Sequence, residues 1–251
     1  GIVLPLLPFY STELGASPFV VGLIIASYSG MQFIFAPIWG TLSDRYGRRP
    51  LLLVGLIGST VSYVVFGLAR TLTVLLLSRV IAGIMGANIP VAQAYIADST
   101  SDRDRARGMG LIGAAFGLGF IFGPAIGGVL SRWGYGLPGF VAAGLSFSSA
   151  VAAWLWLPES LAPENRVGRG MGPMSAVTGR ARAALRVLAR KRLRDPILVF
   201  FLGTMGFAGF TTIFPLFLDN PLGLTAVYAG AMFALVGLVS ADRKSTRLNS
   251  S

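Results

Sequence analysis

The chain has no cysteine and no histidine. Those two absences exclude disulfides, thiolate or imidazole metal sites, and any Ser-His, Cys-His or histidine proton relay among these residues. Charge is scarce as well: Asp, Glu, Lys and Arg make up 12% of the 251 residues, against about a quarter in an average soluble domain. Acids are the rarest, with 10 Asp and Glu against 21 Lys and Arg, so the net charge is +11. Apolar residues take the place of the missing charge, at 54% of the chain, and 33 residues are glycine. This composition belongs to the membrane class.

A helix rising 1.5 Å per residue needs about 20 apolar residues to cross a hydrocarbon core of about 30 Å. Such runs occupy 18–39, 51–69, 73–97, 108–130, 137–157 and 196–218, and another begins near Leu224 and reaches Ser240. Residues 2–10 read as the outer half of a first helix. The basic residues fall on alternate sides of these runs. Arg45, Arg48 and Arg49 share one loop, Arg103, Arg105 and Arg107 the next on that side, and a third holds Arg166, Arg169, Arg180, Arg182, Arg186, Arg190, Lys191, Arg192 and Arg194. The opposite side holds only Arg70 and Arg132. The positive-inside rule makes the rich side cytoplasmic, which leaves little charge for a nucleic acid to explain.

Four stretches stand out. The first is 40–50, Gly-Thr-Leu-Ser-Asp-Arg-Tyr-Gly-Arg-Arg-Pro, expected as a tight cytoplasmic loop between two spans. The second lies in the span over 73–97, where Arg79 is the one ionisable group well inside a span. At 3.6 residues per turn, Arg79, Gly83, Gly86, Pro90 and Gln93 fall on one face, small and polar enough to wall an aqueous cavity. Asp98 closes that span on the side of the 40–50 loop and is expected to pair with Arg48 or Arg49, making a latch with Asp44. The short segment 98–107 alternates charge and is read as the next loop. Third, Gly119, Gly123 and Gly127 recur every four residues, beside Pro124 and Gly128, and strip one helix face to backbone. Fourth, Tyr28 and Gln32 lie in the middle of the span over 18–39. A buried amide in hydrocarbon needs a partner, so Gln32 either lines a wet cavity with Tyr28 and Gln93 or makes an interhelical hydrogen bond.

These motifs resemble those of the major facilitator superfamily. Gly40, Leu42, Asp44, Arg45, Gly47, Arg48 and Arg49 match every specified position of its G-x-L-x-D-R-x-G-R-R/K signature between spans two and three. Arg79 and Gly83 resemble the R-x-x-x-G motif of span four, a position associated in that family with proton coupling. Gly119, Gly123, Pro124, Gly127 and Gly128 resemble the G-x-x-x-G-P-x-x-G-G motif of drug:proton antiporters. The resemblance implies an all-α integral membrane protein whose six-helix halves rock about a central site. This chain is then the N-terminal half over 1–157, a basic cytoplasmic linker over 158–195, and the first two helices of the second half over 196–240. A segment over 179–194 reads as a basic helix on the anionic inner leaflet. The polar tail over 241–251 resembles adapter-encoded sequence and is set aside.

Within the family the chain looks most similar to bacterial tetracycline-type and multidrug antiporters. Ser62 stands where an acidic residue often sits in that branch, and the histidine of its tetracycline members is absent. These departures point away from tetracycline and leave drug efflux standing. The implied activity is proton-coupled export of drug-like amphipathic molecules by a monomer in the bacterial inner membrane. The proton gradient is the energy source, and no cofactor is implied. An uptake symporter of the same fold is the alternative within the class; a membrane receptor or intramembrane enzyme is the alternative outside it.

Overall fold

A computed structural model describes residues 1–162, 164, 166, 191–219, 225–233 and 235. Most of the expected linker, with the basic helix over 179–190, and the tail over 241–251 lie outside the described residues. Among the described residues every regular element is helical: α1 Leu7–Glu13, α2 Pro18–Tyr46, α3 Arg48–Gly67, α4 Leu72–Met85, α5 Ile89–Ser99, α6 Asp102–Leu130, α7 Gly136–Trp156 and α8 Lys191–Asp219. A single 3₁₀ turn, Ser131–Trp133, joins α6 to α7, and residues 226–233 are helical. Among the described residues six segments are long and apolar enough to cross a membrane, with α4 and α5 counting together as one.

Hydroxyl caps set three of the helix starts. Ser17, Thr71 and Ser101 accept the backbone N–H of Val20, Val74 and Asp104, satisfying amides that the first turn leaves without partners. Pro18 fills the first position of α2, and Asp102 and Asp104 sit in the first turn of α6, where the helix dipole favours negative charge.

α3 lies between α7 and α4, α2 packs on α4 and α5, and α1 rests against α2 and α8. The buried core is small, with Leu6, Val21, Ile24, Phe66, Leu75 and Val91 almost fully enclosed. Large apolar residues face outward instead, Phe33 at 84% exposure and Phe200 at 77%. Lipid tails are as apolar as leucine, so helix association here relies on close fit more than on burial. Glycine supplies that fit. A Cβ on Gly139 of α7 would stand 2.9 Å from the backbone nitrogen of Gly67 in α3, and Gly55 of α3 makes room for the Asn88 side chain.

Several boundaries differ from those the sequence suggests. The stretch 40–50 is helical at every residue but one. At 29 residues α2 is about 43 Å long, so it outruns the hydrocarbon layer and carries Gly40–Tyr46 into the headgroup region before it stops. No residue in 40–46 breaks a helix; Gly47 alone turns the chain, at φ +106°. Segment 98–107 is likewise mostly helix, because the Ser101 cap starts α6 at Asp102 and leaves Thr100 and Ser101 as the connection. The run over 73–97 is two helices, interrupted at 86–88 just ahead of Pro90. α1 begins only at Leu7, and α8 begins at Lys191, ahead of the expected 196.

Gly47 has an extended ψ of 160° at its positive φ, a region that is essentially glycine's alone, and it abuts the Glu159 carboxylate. Gly47→Ala is therefore expected to destabilise the detergent-solubilised chain by about 1–3 kcal/mol. Gly22→Ala, in open space inside α2, is expected to be neutral or stabilising by up to about 1 kcal/mol. Thermal melting of the two variants side by side checks the contrast.

Candidate functional site

Three places gather the residues singled out above. At the basic end, Arg48 opens α3 and is 7% exposed. Its Nη1 donates to Asp44 Oδ1 at 2.5 Å and to Ser43 Oγ at 2.7 Å, and its Nε donates to Asp98 Oδ2 at 2.9 Å. One guanidinium thus ties the end of α2, the start of α3 and the end of α5. The planar fork of arginine allows this where a lysine ammonium would not, because its donors point along fixed, separate directions. The carboxylates are about 30% exposed, so water screens part of the attraction, whereas Arg48 itself has left water almost completely.

The other two arginines of the signature go elsewhere. Arg49 Nη2 donates to the carbonyl of Trp154 in the last turn of α7 at 2.5 Å, and its Nε is buried without a partner among the described residues. Arg45 lies over the ring of its neighbour Tyr46, 5.2 Å from the centroid. Leu42 packs beside Trp39, Leu51, Ala87 and Val91, seating the end of α2 on α3 and α5.

Glu159 is the site residue that sequence reasoning missed. Its Oε1 accepts the backbone N–H of Arg48 at 2.8 Å and that of Leu161 at 3.1 Å. The signal was available: α3 has glycine as its N-cap, glycine has no side chain with which to cap, and the orphan amides of a first turn need an acceptor from elsewhere. A carboxylate just beyond α7, on the same side, was one such candidate.

Deeper in, Arg79 is 3% exposed and does not snorkel to the surface. Its Cζ lies 4.9 Å from the Phe66 ring centroid, its Nε donates to Ser78 Oγ at 3.3 Å, and its Nη2 is buried without a partner among the described residues. Ser62, one turn before Phe66 on α3, has a buried hydroxyl that also lacks one. One turn beyond Arg79, Gly83 lets the backbone of Tyr28 and the Cβ of Met31 come close, so α2 and α4 touch along this line. Gln32 donates to the Gly86 carbonyl at 3.1 Å and to the Tyr28 hydroxyl at 3.4 Å. Gln93 and Pro90 stand exposed on α5, beyond the interruption. The structure therefore brings Arg79, Gly83, Gly86, Tyr28 and Gln32 together on the α2–α4 seam and leaves Gln93 apart from them.

The third place is the glycine face of α6. A Cβ on Gly123 would stand 2.7 Å from the Cα of Gly1, and Gly127 abuts Ile2 and Leu6. A Cβ on Gly128 would meet the Ala226 carbonyl at 3.0 Å and the Cα of Gly230 at 3.4 Å. Gly123, Pro124, Gly127 and Gly128 are buried, and Gly119 is exposed. One helix face thus seats backbone from the beginning of the chain on one side and from residues 226–230 on the other.

Because Arg48 is shared by two carboxylates and Arg45, among the described residues, by none, their truncations separate. Arg48→Ala is expected to destabilise the chain by about 2–4 kcal/mol, below the range for fully buried pairs because Asp44 and Asp98 keep some water. Arg45→Ala is expected to change stability by about 0.5 kcal/mol or less. A double-mutant cycle of Arg48→Ala with Asp98→Asn, read by thermal or denaturant unfolding, is expected to give a coupling of about 1–2 kcal/mol.

The profile of the Major Facilitator Superfamily matches residues 1–241. The chain is 32% identical over 242 residues to the class B tetracycline resistance protein of Escherichia coli, covering 95% of this chain and 59% of that protein. It is 34% identical over 245 residues to multidrug resistance protein 1 of Bacillus subtilis (strain 168), covering 96% and 60%. Among solved structures, the crystal structure of the human organic anion transporter MFSD10 (TETRAN) superposes with a TM-score of 0.69 at 30% identity, over 92% of this chain and 59% of that one. The chain thus spans about three fifths of the length of each of these relatives. With a helical membrane architecture and a match over nearly its whole length, this chain belongs to the Major Facilitator Superfamily.

Proposed function

We propose that the chain works in a secondary transporter of the bacterial inner membrane that exports drug-like, amphipathic small molecules in exchange for protons. The observation that carries this reading is the glycine face of α6. The stretch that resembles the antiporter motif is the one that seats Gly1 and Ile2 on one side and residues 226–230 on the other, backbone against backbone. Surfaces bare of side chains can slide with little rearrangement of packing, which is what two rocking halves require. The relatives support the same class: their names are tetracycline resistance and multidrug resistance proteins.

In this mechanism the Asp44–Arg48–Asp98 network is the cytoplasmic gate. It holds α2, α3 and α5 together while the cavity is closed on that side, and its charge-assisted hydrogen bonds must break for the cavity to open. Arg79, charged and buried within a span, is the group placed to take part in proton coupling. Transport runs on the proton gradient in a monomer, with lipid around it and no cofactor. Ser62 in place of an acid, and the absence of histidine, favour substrates other than tetracycline.

The test is export by the full-length protein in an efflux-deficient bacterium, against a panel of antibiotics and dyes. Resistance or dye extrusion is expected, and it should collapse with a protonophore. Asp44→Asn should lower it at least tenfold at equal membrane abundance, and Gly127→Leu, which fills the face against Ile2, should abolish it. Accumulation into right-side-out vesicles driven by the same gradient would reverse the assignment to uptake.

A further inference from the structure

Span four is cut at Gly86–Asn88, and the cut frees two carbonyls inside the bundle. Gly86 finds no N–H four residues on, because that residue is Pro90. Ile84 lies in the last turn of α4, where carbonyls lack intrahelical partners. Both are taken up by α2. Gln32 Nε2 donates to the Gly86 carbonyl at 3.1 Å, and Trp39 Nε1 donates to the Ile84 carbonyl at 2.7 Å. Gln32 and Trp39 are seven residues apart, two turns on one face of the helix. α3 closes the other side, with Gly55 against Asn88 and Gly58 against Met85.

We propose that Gln32 and Trp39 are positioning residues that clamp this joint to α2. The outer piece of span four carries Arg79 and the inner piece carries Asp98, so the clamp makes α2 the element through which the two pieces keep their relative orientation. Gln32 then acts on Gly86 through its amide nitrogen. Its two amide protons are already committed, one to Gly86 and one to the Tyr28 hydroxyl at 3.4 Å, so the nitrogen end of the side chain serves the joint and only its carbonyl oxygen stays open. Pro90 is the reason the clamp is needed: a residue with an N–H there would serve the Gly86 carbonyl along the helix. The structural part stands on the geometry alone; its consequence for turnover rests on the transport reading above.

The test is a double-mutant cycle on the purified 251-residue chain, read by thermal melting, with no transport required. Gln32→Leu strands the Gly86 carbonyl and is expected to lower the midpoint by about 3–8 °C. In a Pro90→Ala background the new amide serves that carbonyl, and the same substitution is expected to cost less than about 2 °C. Equal losses in both backgrounds overturn the clamp. Should Gln32→Leu fail to insert, Gln32→Asn, one methylene too short to reach, replaces it in the cycle. In the full-length protein, Gln32→Leu is expected to lower turnover several-fold with KM unchanged, and Pro90→Ala to recover part of the loss. A raised KM at unchanged turnover would overturn the positioning role and make Gln32 a cargo contact. A positive melting cycle together with no transport by the unaltered full-length protein would leave the clamp standing and sink the transport reading instead.

Discussion

A backbone carbonyl inside a membrane has no water to turn to, and the architecture of this chain follows from that constraint. Helices answer it residue by residue, so every described element is a helix. Where a helix is interrupted, the answer has to come from a neighbour. At Gly86–Asn88 it comes from the amide of Gln32 and the indole of Trp39, both on α2. The interruption and its repair together locate the α2–α4 seam, and that seam carries Arg79, Gly83 and Tyr28.

The second constraint is the weakness of the hydrophobic effect between helices already in an apolar solvent. Leucine and phenylalanine can be left on the outside, as Phe33 and Phe200 are, and the contacts that hold the bundle depend on how near two backbones can come. Glycine sets that distance at Gly67 and Gly139 between α3 and α7, at Gly83 between α2 and α4, and at Gly123, Gly127 and Gly128 on α6. The α6 face is used on two sides at once, which makes it the place where one part of the chain meets another across very little side-chain volume.

At the basic end the physics changes, because water and headgroups are within reach. Arg48 is nearly enclosed, yet its two carboxylate partners keep about 30% of their surface. Such a network is held firmly by geometry and only moderately by net energy, since desolvating the guanidinium offsets much of the Coulombic gain. Glu159 adds a backbone bond to the same corner, so four chain segments converge on a turn of one residue, Gly47.

Much of this could be read from the residues alone. Apolar runs of membrane length, arginines on one side only, and motifs at fixed places between runs determined the helical membrane class and the family, because span length and charge asymmetry are local properties of a sequence. The pairing of Asp98 with Arg48 was also accessible, since both ends had to lie on the same side. Other features depended on which helix lies beside which. That Arg48 and not Arg45 or Arg49 takes Asp98, that Gln32 serves Gly86 while Gln93 stands apart, and that Glu159 caps α3 were decided by tertiary contacts between residues 50 to 111 positions apart. Periodicity places a side chain on a face of its own helix; only the packed bundle supplies the neighbour that the face meets.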